Sequence, residues 1–410
     1  MRIAFLLGIA AAPALNAGSL LDFSYGILEK QRGNADLAAE HFEKAYAADP
    51  TAMPLVRIVA GKRLVDGDRA AAFGIYQDAV DARPEEPMVQ IEYGDFLGRI
   101  GKGDSIAARK QEEAYLKVLE AMPGDFLPIE RLIRTAREKS DDNRARELLE
   151  KLNPSTPESV RYYVATTKSL YDGKDADALA RIGELLGAVT QSHPEWTSTT
   201  RFASDYFRGS GNLGMAITIL ERHVAAIPSS LDLRIRLGIL LISGGQEDEG
   251  IAMLEGVLAI HPGKALAHES LAKILRKQGR DKEARSHAAE LLKIRGGTPD
   301  EFVALADELI ADGEARAARL LLEKAVFRHP DNADLMMKLA LATSRDPETK
   351  DSAARLFREA ENMLADPADA TPAFLLESAK ELVAQGQTKA AEERLRNAIR
   401  TFPKDAKKET

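Results

Sequence analysis

Along most of the chain, apolar residues recur at three- and four-residue steps, and the runs are broken by glycine or proline. Between Leu231 and Pro262 the pattern is clearest. Leu237 and Leu241 precede the pair Gly244-Gly245, and Gly250, Leu254 and Val257 follow it. Helical periodicity on both sides of a glycine turn predicts two amphipathic helices folded into a hairpin. The glycine can end the first helix in a backbone conformation that strains a Cβ-bearing residue. The proline stops the second helix because it has no amide hydrogen to continue the ladder.

The hairpin repeats. Gly33, Gly67 and Gly101 stand 34 residues apart, and so do Gly211, Gly245, Gly279 and Gly313. Pro50 and Pro84 keep the same interval, as do Pro228 and Pro262. Blocks therefore open at Ser19, Met53, Pro87, Phe126, Val160, Thr197, Leu231, Ala265, Pro299, Ala333 and Pro372. Most successive intervals are 34 residues, and the others carry a few residues more. The pattern predicts an all-α fold, an α-solenoid of about eleven hairpins.

Two positions in each block are small. Gly26, Ala60, Gly94 and Gly238 occupy one, in the first helix, and Ala38, Ala72, Ala216 and Gly250 the other, in the second. Four residues after the second comes a bulky side chain, as at Phe42, Tyr76, Leu220 and Leu254. Small against large lets neighbouring helices interdigitate at interior density. The arrangement resembles the tetratricopeptide repeat (TPR) family, whose 34-residue pattern is met in the first block by Gly26, Ala38, Phe42, Ala45 and Pro50. The second block matches with Ala60, Ala72, Tyr76, Ala79 and Pro84. The resemblance extends over residues 18–405 and implies a right-handed superhelix. The family's early tryptophan is missing, Ile133 fills a small position, and Asp346-Pro347 replaces a glycine turn. The irregular blocks across 87–196 are expected to bend the array.

Composition narrows the function. Charged residues of both signs are interspersed, with a net charge of −8 and no basic stripe, so nucleic acid is not an expected partner. The lysines in the last residues, 406–410, read as a solvated tail. Without cysteine the chain has neither disulfides nor thiolate metal sites nor a thiol nucleophile. Met1-Arg2, an apolar run from Ile3 to Ala12, and the small residues through Ala17 have the parts of a signal peptide, so 1–17 is read as one. The other reading of 1–17 is a helix capping the first repeat. The run is too short for a transmembrane anchor. Export would place the protein in the periplasm of a bacterium or outside the cell; a retained N-terminus would leave it cytoplasmic.

Sequences that imitate chemistry fall in phase with the repeat. Gly209-Ser210-Gly211-Asn212-Leu213-Gly214 spells a dinucleotide fingerprint, but that chemistry needs a strand before it. The segment Phe202 to Phe207 reads as helix instead. His193, His261 and His329 each precede a block-ending proline, and equivalent places in separate repeats cannot converge on one ion. His268-Glu269 begins like a zinc-protease helix but lacks the second histidine, since residue 272 is Ala. No cofactor, metal or catalytic residue is expected, and the chain is not read as an enzyme.

The resemblance implies that positions 5, 9 and 12 of each block face a groove that holds other proteins or peptides. These positions are Glu130, Arg134 and Arg137 in one block, Arg201, Asp205 and Arg208 in another, and Glu269, Lys273 and Arg276 in a third. Such rows could take an acidic peptide by charge-assisted hydrogen bonds. Solvated helix faces laced with ion pairs would look the same. Other groove positions are apolar: Phe23 and Ile27, then Ile235, Ile239 and Ile242, then Met337 and Leu341. The asparagine of the family's chaperone-tail clamp is absent at every matching position from Ile27 to Lys380. The expected function is a non-catalytic interaction scaffold in envelope assembly or export. Its rivals are a cytoplasmic adaptor and the regulatory array of a separate enzyme, such as a glycosyltransferase.

Overall fold

The computed structural model describes residues 17–101, 103–172, 175–364, 370–384 and 386–401. The segment read as a signal peptide lies outside them except for Ala17, and the tail lies outside them entirely. The described residues form 22 α-helices and no strand. Two compact units divide the chain, Met1–Leu186 and Gly187–Thr410.

In the first unit α1 (Ala17–Gln31) folds back on α2 (Ala35–Ala48), and α3 (Met53–Val65) on α4 (Arg69–Ala82). The next hairpins are α5 (Pro87–Ile100) with α6 (Ser105–Ala121) and α7 (Phe126–Glu138) with α8 (Asp142–Lys151). Then come α9 (Pro157–Leu170) and α10 (Ala176–Ser192), within which the division falls. The second unit continues with α11 (Thr197–Gly209) on α12 (Leu213–Ala226) and α13 (Leu231–Ser243) on α14 (Glu247–Ile260). After these, α15 (Ala265–Lys277) pairs with α16 (Asp281–Arg295), and α17 (Pro299–Ala311) with α18 (Ala315–Arg328). The last hairpins are α19 (Ala333–Arg345) with α20 (Ala353–Met363) and α21 (Pro372–Ala384) with α22 (Thr388–Thr401).

The first helices of the hairpins begin on the residues that open the sequence blocks, from Met53 to Pro372, with two exceptions. One is α1, which begins at Ala17. The other is α9, which begins at Pro157 because Thr156 and Ser159 cap it reciprocally, each side chain meeting the other's backbone amide. Turn glycines adopt the left-handed conformation, with φ of +83° at Gly33 and +88° at Gly245. Gly101 does not. It caps α5 at φ −96°, and the longer turn moves the left-handed residue to Gly103, at φ +87°. Where the sequence offers no glycine, Ser140 takes φ 59°.

The small positions work as their spacing predicts. A Cβ on Gly26 would stand 2.6 Å from the Phe42 ring, and one on Gly94 2.5 Å from the Tyr115 ring. In these hairpins the bulky residue of the second helix thus lies against the bare backbone of the first. Burial then runs from hairpin to hairpin. Ala72 and Tyr76 of α4 share a core with Val89 and Phe96 of α5, and Phe302 of α17 shares one with Leu321 and Leu335. Each hairpin leaves an apolar face that only its neighbour covers, which is how stacked repeats are stabilised.

Candidate protein-binding face

Stacking places the first helices side by side within each unit, and charged residues on that face meet across the repeats. In the first unit Arg57 of α3 lies 3.2 Å from Glu92 of α5. Asp95 of α5 accepts from Arg131 Nε of α7 at 2.8 Å and from the Tyr115 hydroxyl at 2.8 Å. Burial pushes the Glu92 carboxyl above its ordinary range, against the opposing pull of Arg57. In the second unit Asp205 of α11 pairs with Arg236 of α13, and Asp232 of α13 with Lys264, the residue that caps α15, at 2.8 Å. These pairs join neighbouring first helices like rungs.

The three rows singled out from sequence fare differently. On α7, Arg134 lies 3.9 Å from Glu130 and 3.8 Å from Asp95, and Arg137 donates to Ser169 Oγ of α9 at 2.9 Å. That row is knitted into its neighbours. On α11, Asp205 lies 3.4 Å from Arg208 besides holding Arg236, whereas Arg201 is exposed and has no side-chain partner among the described residues. On α15, Lys273 donates to Glu269 at 2.5 Å, a hydrogen bond that with the lysine charge holds the Glu269 carboxyl below its usual range. Arg276 is exposed, and its side chain has no partner among the described residues.

Open hollows lie on the first-helix face of each unit. One of about 460 Å³ sits across α3, α5 and α7, where Arg57, Arg99, Arg131 and Arg134 outnumber Glu92 and Asp95. In the second unit a hollow of about 740 Å³ crosses α11, α13 and α15, and another of about 510 Å³ adjoins it between α13 and α15. Ile239 and Ile242 line these, half-buried. The other apolar groove positions belong mainly to the core. Ile235 and Met337 are each 2% exposed, and Phe23 and Leu341 are buried as well, because the following hairpin or the hairpin partner packs over them.

Two features escaped sequence reasoning. Trp196 stacks on His193 with ring centroids 4.1 Å apart, at the entrance to α11. His268 of α15 lies with its Nδ1 3.0 Å from Nδ1 of His287 on α16, while its Nε2 lies 2.9 Å from the Pro262 carbonyl oxygen. If His268 Nε2–H donates to that carbonyl, its Nδ1 is left as the acceptor for His287. Burial, then the charge of His268, lowers the pKa of His287. No group of three or more His, Asp or Glu among the described residues is placed to hold a metal. The false dinucleotide fingerprint is the α11–α12 turn, entered from a helix, with Gly211 left-handed at φ +80°. Among the described residues no helix is long and apolar enough to cross a membrane.

Fold and face together define an all-α repeat protein built from helical hairpins. Residues 235–299 and 303–370 match the tetratricopeptide repeat family model, so the recognised repeats lie in the hairpins from α13 to α20. No protein of curated function matches the chain. Among solved structures, the C-terminal part of a TPR repeat-containing protein from Cytophaga hutchinsonii is 16% identical, over 61% of this chain and 99% of its own, with TM-score 0.36. Yeast Tom70 is 14% identical over 96% of this chain and 99% of its own, with TM-score 0.29. YrrB, a TPR protein with an unusual peptide-binding site, is 17% identical over 45% of this chain and 93% of its own, with TM-score 0.28.

Proposed function

We propose that the protein is a non-catalytic scaffold that holds partner proteins or peptides along the face built by the first helices of its hairpins. The observation that carries this reading is the presence of open hollows on the first helices of each unit, walled by side chains from successive repeats. A ligand lying there touches several hairpins at once, and a mainly cationic wall favours carboxylates over other peptide chemistry. The matched tetratricopeptide repeats support the same reading. The signal-like segment at 1–17 supports a place in bacterial envelope assembly or export.

Crosslinking mass spectrometry in the native host tests the scaffold: partner crosslinks should fall on first helices such as α5, α7, α11 and α15. Crosslinks confined to second helices would remove the reading. Mass spectrometry of the mature N-terminus tests the location, because an intact Met1 is incompatible with cleavage after Ala14 or Ala17. A cytoplasmic adaptor is the reading that an intact Met1 would leave.

A further inference from the structure

The two hollows of the second unit form one trough. Ile239 of α13 and Leu266 of α15 line both, so any ligand on that floor meets the walls of each. Leu266 is 53% exposed there. A large apolar side chain left open inside a hollow, beside the half-buried Ile239 and Ile242, is a surface awaiting apolar contact.

The walls carry the opposite character. Arg201, Arg208, Arg236 and Lys264 line the first hollow against Asp232 alone, and Lys273 and Lys277 line the second against Glu269. From outside the lining, Glu247 neutralises Lys277. Asp205 serves both Arg208 and Arg236, so that pair keeps a surplus charge, and Arg201 has no partner at all among the described residues. A bare phosphate polymer would satisfy these cations but leave the apolar floor wet. A wholly apolar segment would bury unpaired cations, which is costly.

We propose that the trough across α11, α13 and α15 receives an acidic amphipathic segment of a partner protein. Its apolar stripe sits on Ile239, Ile242 and Leu266, and its carboxylates face Arg201 and the surplus charge of Arg208 and Arg236, since Asp232 already holds Lys264. The proposal rests on the scaffold reading and names the chemistry of its cargo.

The test uses the full chain and a fluorescent synthetic peptide of about 20 residues, long enough to span some 30 Å as a helix, with a leucine stripe flanked by glutamates. Two control peptides replace every glutamate by glutamine or every leucine by serine. The acidic amphipathic peptide should bind, and each control should bind at least about tenfold more weakly. Leu266→Glu and Arg201→Glu, both at exposed positions, should each weaken binding by about tenfold while leaving the thermal melt unchanged. Added salt should weaken the acidic peptide more than its glutamine version. Absence of binding, equal binding of either control, or indifference to both substitutions overturns the proposal. So does competition by a thymidine oligonucleotide, which would show that phosphate alone suffices. Host crosslinks on first helices outside this trough, combined with a failed peptide test, would sink the cargo chemistry and leave the scaffold standing.

Discussion

Gly250 of α14 crosses Gly238 of α13 so closely that a Cβ on Gly250 would stand 2.6 Å from the Gly238 carbonyl oxygen. Backbone meets backbone there, and Leu254 closes the contact, lying 2.9 Å from where a Gly238 Cβ would be. Alanine is the better helix former, by about 1 kcal/mol over glycine. At this crossing the steric cost wins.

Gly250→Ala is therefore expected to destabilise the protein by about 1–3 kcal/mol, and Gly238→Leu by at least as much, through overpacking. Beyond its own helix backbone, Gly61 of α3 has no atom within 4 Å of its Cβ position, so Gly61→Ala should stabilise by about 1 kcal/mol. Urea unfolding of the three variants checks the signs. Hydrogen exchange should place the damage from Gly238→Leu in its own hairpin and those beside it. A native-like melt with unaltered exchange there would refute the assigned register.

Asp95 gathers the Tyr115 hydroxyl and the Arg131 guanidinium at 2.8 Å each. Asp95→Asn keeps an acceptor for the tyrosine but removes the charge that draws the arginine. A loss of about 1 kcal/mol is expected, moderated by the partial exposure of the pair. A double-mutant cycle with Arg131→Met should return a coupling of similar size, and additive effects would show that the rung is idle.

His287 supplies a pH dependence. Burial, and next the charge of His268 on α15, hold its pKa below 6.5, while Glu283 and Glu290 on its own helix pull the other way. The unfolded chain then binds the proton more readily than the folded one. The stabilising contribution is full above about pH 6.5 and is lost as pH falls through the lower folded value. Melting temperatures across that range should fall more for the wild type than for His287→Gln. Parallel curves would remove His287 as the cause.

Thr298 and Glu301 form a reciprocal cap at the start of α17, the Thr298 amide donating to the Glu301 carboxylate at 2.9 Å. Thr298→Ala should cost about 1 kcal/mol, read by thermal unfolding. Fraying in hydrogen exchange should be confined to the first turn of α17.

The hairpins were legible because each depends on requirements that single residues satisfy: a small side chain at a crossing, a left-handed residue at a turn, a proline after a helix. Such requirements recur at one interval and survive divergence elsewhere. Gly101 misled because a longer turn passed its role to Gly103, and glycine identity alone does not say which of two will adopt positive φ. The binding face was harder to read. Spacing within α11 puts Arg201, Asp205 and Arg208 in one row, but the partner of Asp205 sits on α13, at a distance that helical periodicity does not set. The same holds for His268 and His287, on facing helices. Met337 and Leu341 looked like groove residues until α20 and α21 brought Phe357 and Phe374 against them.

The turn glycines have a practical consequence. Gly33, Gly67, Gly211 and Gly313 must keep their left-handed backbone, but the space around them is open: apart from their own chain neighbours, no atom lies within 4 Å of a Cβ position. Hairpin tips of this kind are where a chain best accommodates added residues. The blocks that exceed 34 residues show natural lengthening near such a tip, as between α5 and α6. Dyes, crosslinkers or whole reporter domains can thus be attached hairpin by hairpin within each unit, so that the repeats a bound partner touches can be read one by one.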